Sequence, residues 1–160
     1  MDPAPNARHR AESFPPIARA DARVLVLGSM PGQRSLAENR YYAHPQNRFW
    51  PFMGELLGAG PELPYPARCR KLVDAGIAVW DVLAECEREG SLDSAIRDHT
   101  ARANDFAGFL AAHPRIGMVL FNGSKAEASF RKLVLPTLER PDLAYRRLPS
   151  TSPANASQRA

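Results

Sequence analysis

The chain has 160 residues, 44% hydrophobic and 24% charged, with a net charge of +4 and a pI near 9.4. That length suits one domain with its own core, and the composition excludes a disordered or low-complexity chain. No apolar run reaches the ~20 residues that span a bilayer, and Met1–Ala22 lacks the apolar stretch of a secretory signal, so a bacterial cytosolic location and no membrane partner are expected.

Residues 1–20 read as a flexible arm ending in Phe14-Pro15-Pro16-Ile17, a segment suited to pack as an edge lid, followed by a single domain over 21–160. Arg23–Leu27 is an apolar, β-branched run that predicts a buried strand. It leads into Gly28-Ser29-Met30-Pro31-Gly32, a Gly/Pro turn that matches neither the dinucleotide fingerprint nor the phosphate loop. Taken alone it is a tight turn as readily as a ligand loop. Tyr41 to Trp50 then crowds aromatics, His44, Asn47 and Arg48 together. Such residues make a poor core and suit a flat base beside a phosphate. Asn47 equally suits the cap of a helix running to about Leu57, with Pro51 in its first turn.

Ala67–Ala75 predicts a second helix stopped by Gly76, and Ile77–Val82 a second strand carrying Asp81 near its end. A third helix over Asn104–His113 halts before Pro114. Ile116–Phe121 is the third strand, ending at Asn122-Gly123. Ser124-x-x-Glu127 reads as a capping box opening the fourth helix. Leu143–Leu148 is the fourth strand, followed by the hydroxyl-rich Pro149-Ser150-Thr151-Ser152-Pro153. The alternation predicts an α/β three-layer sandwich, a central four-stranded parallel sheet flanked by helices. In such a sheet the strand ends share one edge, where ligands bind.

Each polar residue at that edge also has a plain reading: Arg48 as a solvated charge, Asn122 as a turn residue, the hydroxyl loop as a loop. Asp81 resists one, because a carboxylate closing a buried strand needs a donor. Cys69 and Cys86 are not in metal-ligand spacing and are expected to be plain thiols. No His, Cys, Asp and Glu cluster has ligand spacing, so neither a metal nor a cofactor is expected.

Five segments together resemble the uracil-DNA glycosylase superfamily, and within it most closely the hypoxanthine-DNA glycosylase branch. They are Gly28-Ser-Met-Pro-Gly-x-x-Ser-Leu36, Tyr41-Tyr-Ala-His-Pro-x-Asn-x-Phe-Trp50, Val79-Trp-Asp-Val-Leu83, Phe121-Asn-Gly-Ser-Lys-Ala126 and Leu148-Pro-Ser-Thr-Ser-Pro-Ala-Asn155. The resemblance implies base flipping and cofactor-free cleavage of the bond between a deaminated base and deoxyribose in damaged DNA, by a monomer. It maps the catalytic amide to Asn47, with Ser29 assisting where many members carry Asp or Asn. Asp81 would read the base, Phe49, with Tyr42 as the second candidate, would supply its stacking face, and Asn122 would also bind it. Gly32, Arg48, Ser150, Thr151 and Ser152 would touch phosphates. Leu148 stands where members often carry His, so a histidine electrophile is missing there. The rival readings are a hydrolase of free nucleosides or nucleotides, and a catalytically silent nucleic-acid-binding module.

Overall fold

The computed structural model describes residues 9–153. In chain order they form β1 (Arg10–Glu12), β2 (Val24–Gly28), α1 (Gln33–Glu38), α2 (Phe49–Leu57), α3 (Tyr65–Asp74), β3 (Ile77–Asp81) and β4 (Leu83–Glu87). Then follow β5 (Arg102–Ala103), α4 (Phe106–Ala112), β6 (Met118–Asn122), α5 (Ser124–Leu133) and β7 (Ala144–Leu148). The main sheet has the order β3-β2-β6-β7, and every pairing in it is parallel. Strands buried on both faces read as continuous apolar runs, which is why Val24–Leu27 and Ile77–Trp80 were legible. All four expected strands form this sheet, and helices flank it.

Register decides which side chains meet. Leu27 stands opposite Trp80 on one neighbour and Phe121 on the other. Residues paired in this way share a face. Trp80 packs on Phe106 and Phe109 of α4 at ring distances of 4.9 and 4.8 Å, and Phe121 on Phe130 of α5 at 5.3 Å. The next pair along, Gly28 opposite Asp81, points to the other face. One residue thus separates the aromatic core from the polar edge of the sheet.

The described part of the expected arm is strapped down rather than loose. β1 pairs antiparallel with β4, and Ile17 exchanges backbone hydrogen bonds of 2.9 and 2.8 Å with Val79 on the edge strand β3. Trp80 Nε1 donates to the Phe14 carbonyl at 3.1 Å and Tyr41 Oη to the Pro15 carbonyl at 2.8 Å. The segment satisfies an open strand edge, a sufficient reason for it to order. Residues 1–8 lie outside the described range. The small sheet β1-β4-β5 had no counterpart in the sequence reading. The capping box does not form either: Gly123, at φ 99°, is the cap residue, and Ser124 is the first helical residue. The Glu127 carboxylate instead reaches Arg131 at 3.3 Å and Arg147 at 3.6 Å.

Candidate active site

The site begins with a missing side chain. A Cβ on Gly28 would lie 2.6 Å from Asp81 Oδ1 and 3.0 Å from Tyr42 Oη. Only bare backbone lets a carboxyl and a phenol share the end of β2. Asp81 is 3% exposed, and its Oδ2 has no hydrogen-bond partner among the described residues; Tyr42 Oη is buried beside it, with the Asn122 side chain near. Burial, reinforced by the nearby Asp93, pushes the Asp81 carboxyl up to about 7, against a smaller opposing pull from Arg88. Burial also raises the Tyr42 phenol, which therefore stays protonated at neutral pH. A buried carboxyl oxygen without a partner in a cavity wall is what a bound polar ligand would satisfy.

Tyr42 sits at φ 54°, in the left-handed region that bulky residues avoid. Packing holds it there. Its ring stacks on Phe49 with centroids 4.2 Å apart. The preceding Tyr41 is fixed by the bond from Trp50 Nε1 to its carbonyl at 2.8 Å and from its N–H to Tyr65 Oη at 3.0 Å. Strain held at a cavity wall is a common mark of a working site.

Ser29 follows Gly28, and its hydroxyl donates to Asp93 Oδ1 at 2.5 Å. The next loop is tied to the β2 turn at further points. Ser91 Oγ accepts from the Gln33 N–H at 2.9 Å. The buried Arg88 guanidinium spans the carbonyls of Gly90, at 3.1 Å, and Pro31. Burial lowers the Arg88 pKa. Across the cavity, Asn122 Oδ1 accepts the Thr151 N–H and its Nδ2 donates to Thr151 Oγ1, both at 2.9 Å. The Thr151 carbonyl takes the Arg48 N–H at 3.0 Å, and Asn47 Oδ1 accepts from the Phe49 N–H at 2.9 Å.

These strand ends and loops enclose a cavity of about 910 Å³. Of the residues singled out from the sequence, Ser29, Gly32, Tyr42, Asn47, Asp81, Asn122, Ser150, Thr151 and Ser152 line it. Phe49 and Arg48 do not. Phe49 is 2% exposed behind Tyr42, so the ring offered to the cavity is Tyr42, and the expectation of Phe49 as the stacking face is corrected. The Arg48 side chain is exposed beside the cavity, while its backbone holds Thr151. Asp93, Ser91 and Leu92 also line the cavity and went unread in the sequence. Their segment, Gly90 to Ser94, carries no periodicity, and its place follows from the pairing of β4. Among the described residues no group of His, Cys, Asp and Glu could hold a metal ion, and no helix is long and apolar enough to cross a membrane.

Residues 15–160 match the model of the uracil DNA glycosylase superfamily. The chain belongs to that superfamily. It is a DNA glycosylase, and its cavity lies at the ends of the parallel strands. A protein named hypoxanthine DNA glycosylase from Methanosarcina barkeri is 35% identical over 118 residues, covering 73% of each chain. One of the same name from Methanosarcina acetivorans is 34% identical over 143 residues, 89% of this chain and 86% of that one. The solution NMR structure of a candidate uracil DNA glycosylase from Methanosarcina acetivorans superposes with a TM-score of 0.78 at 31% identity. That likeness covers 94% of this chain and 90% of the other.

Proposed function

We propose that this glycosylase excises hypoxanthine, with uracil as the second substrate, by hydrolysing the N-glycosidic bond of a base flipped from DNA. The observation that carries this reading is Asp81, buried beside bare Gly28 with an unpartnered oxygen facing the cavity. As a carboxylate it accepts the N1–H of hypoxanthine or the N3–H of uracil, and it faces a lone pair in adenine or cytosine. The two Methanosarcina relatives support hypoxanthine as the base.

The base must leave the stack to be reached, and Tyr42 supplies the face on which it rests. Asn47 orients the attacking water. Ser29, its proton committed to Asp93, presents lone pairs and accepts from that water. Water adds to C1′ as the C1′–N bond breaks; the departing base carries the electron pair, and the proton that the water sheds neutralises that base. Backbone N–H groups of the Ser29–Met30 turn stabilise that charge. The hydroxyls of Ser150, Thr151 and Ser152, Gly32 and the Arg48 side chain hold phosphates and set register without reading sequence. The enzyme acts in the cytosol as a monomer, with no metal.

The deciding assay compares oligonucleotides carrying hypoxanthine, uracil or adenine with free inosine, reading alkali-labile sites in the DNA and free base from the nucleoside. Hypoxanthine release from DNA and not from inosine is the expected result. Efficient cleavage of free inosine with none in DNA would replace this reading by a nucleoside hydrolase.

A further inference from the structure

Hydrolysis needs a group that takes the proton at the moment the attacking water sheds it. Asn47 cannot, because an amide is no base, and its Oδ1 already accepts the Phe49 N–H at 2.9 Å. His44 stands exposed at the cavity rim, and its Nδ1 is held by the Gln46 N–H at 3.1 Å. Two carboxyls line the cavity, Asp81 and Asp93. Asp81 is engaged by the base. Asp93 is left, half-buried, with its Oδ1 2.5 Å from the Ser29 hydroxyl oxygen. That distance lies at the short end for a hydroxyl on a carboxylate. The loop does not need this bond to stay in place. Ser91 holds the Gln33 N–H and Arg88 holds the Pro31 carbonyl, and both of these ties end on backbone. The Ser29–Asp93 bond instead joins two side chains that both face the cavity. Their backbones are pinned beneath it: the Ser29 carbonyl accepts the Leu83 N–H at 3.1 Å, and the Asp93 carbonyl accepts the Ile96 N–H at 3.2 Å. Groups fixed in this way need no reorganisation when a proton moves between them.

We infer that Asp93 is the proton acceptor at the end of a relay that runs from the attacking water through the Ser29 hydroxyl. This rests on the glycosylase reading above and adds to it the path of the water's proton. As the water oxygen bonds to C1′, one of its protons passes to Ser29 Oγ, and the proton that Ser29 held passes to Asp93 Oδ1. The C1′–N bond breaks with its electron pair on the base. Ser29 ends the step as it began, and Asp93 ends it as a neutral acid. Asp93 then yields the proton through solvent to the departed base and is a carboxylate again for the next turnover. Two carboxyls in one cavity thus divide the work: Asp81 recognises the base, and Asp93 serves the water. A serine at the end of β2 is sufficient for this chemistry because the adjoining loop supplies the carboxylate that the strand end lacks.

The test measures single-turnover release of hypoxanthine from DNA by the parent, Asp93→Asn, Ser29→Ala and the double variant. Rates are compared well above pH 7, where Asp81 is ionised. Asn at 93 keeps an oxygen that accepts the Ser29 hydroxyl, and so keeps the tie between the loops, but it cannot hold the proton. Asp93→Asn should therefore lose about 10²-fold in rate with the half-saturating DNA concentration unchanged. Ser29→Ala should lose a similar factor, and the double variant should lie within about threefold of the slower single one, because both changes cut one path. Losses that multiplied in the double variant, to on the order of 10⁴-fold, would mean two independent roles and would overturn the relay. Release by Asp93→Asn within about threefold of the parent would reduce the bond to a tie between loops and overturn it as well. A loss confined to DNA affinity would do the same. If the parent released no hypoxanthine, the glycosylase reading itself would fail, a result distinct from all of these.

Discussion

Replacing Asp81 by Asn should stabilise the protein, by an amount that depends on pH. The folded carboxyl ionises near 7 because it is buried and faces Asp93, while an unfolded aspartate ionises near 4. The folded state therefore binds this proton more tightly than the unfolded state does. Below about pH 4 both are protonated and the group costs nothing. Between about 4 and 7 the unfolded chain ionises first, and stability falls as pH rises. Above about 7 the full penalty stands, and a rise from near 4 to about 7 corresponds to about 4 kcal/mol. Asn matches the shape and carries no charge, so Asp81→Asn should exceed the parent by up to about 4 kcal/mol at pH 8. The two should converge near pH 4. For a chain of this size that is a melting-temperature gain on the order of 8–16 °C. Urea unfolding of both proteins at a series of pH values reads the effect, because titrating groups that do not interact with Asp81 cancel in the difference, and only its neighbours Asp93 and Arg88 add to it. A difference that did not change with pH, or a parent more stable than the variant at pH 8, would show that the carboxylate is satisfied in the folded state. The same ionisation sets activity: base release should rise through about pH 7 as the acceptor forms, and Asp81→Asn should flatten that limb.

Asn47→Ala should lower base release by about 10²-fold with DNA binding retained; Asn47→Ser, which keeps a cap acceptor for the Phe49 N–H, should restore any lost thermal stability and not the rate. Recovery of both in the serine variant would reduce Asn47 to a helix cap. Gly28→Ala places a methyl 2.6 Å from Asp81 Oδ1 and 3.0 Å from Tyr42 Oη, so base release should drop by at least tenfold, with a destabilisation of about 1–3 kcal/mol that denaturant titration would measure. Arg48→Ala should weaken binding to all sequences alike and reduce the log–log salt slope by about one unit, while Ser150→Ala weakens binding with the slope unchanged. Affinity for abasic-site DNA at several salt concentrations separates the two, and an unaltered slope in Arg48→Ala would remove that side chain from the interface.

The main sheet was legible because its strands are buried on both faces, so Val24–Leu27 and Val79–Trp80 announce themselves as apolar runs. The polar residues at their ends were legible as a group for the same reason: parallel register brings Gly28, Asp81 and Asn122 to one edge. The small sheet was not. β4 reads Leu83-Ala84-Glu85-Cys86-Glu87, a mixed pattern that local reading takes for a loop, and its pairing with β1 and β5 makes it a strand. Arg88, Ser91 and Asp93 were lost with it, although they hold the turn that the sequence did flag. Phe49 was misplaced because two aromatics seven residues apart give no hint which ring lies in front. The cap at Ser124 failed where Glu127 had stronger partners in Arg131 and Arg147.

The bond from the Arg48 N–H to the Thr151 carbonyl has a consequence for the timing of synthesis. Asn47 emerges from the ribosome early, ahead of the three other strands of the main sheet. The loop that closes the opposite wall follows β7, the last strand of the sheet to be made. Until then Asn122 has no Thr151 to clasp, and the cavity lacks a side. A chain halted before residue 148 would carry the amide, the carboxylate and the bare glycine without a closed pocket to act in. A half-made enzyme of this design is spared from acting on DNA, since the wall that completes its site is translated after the others.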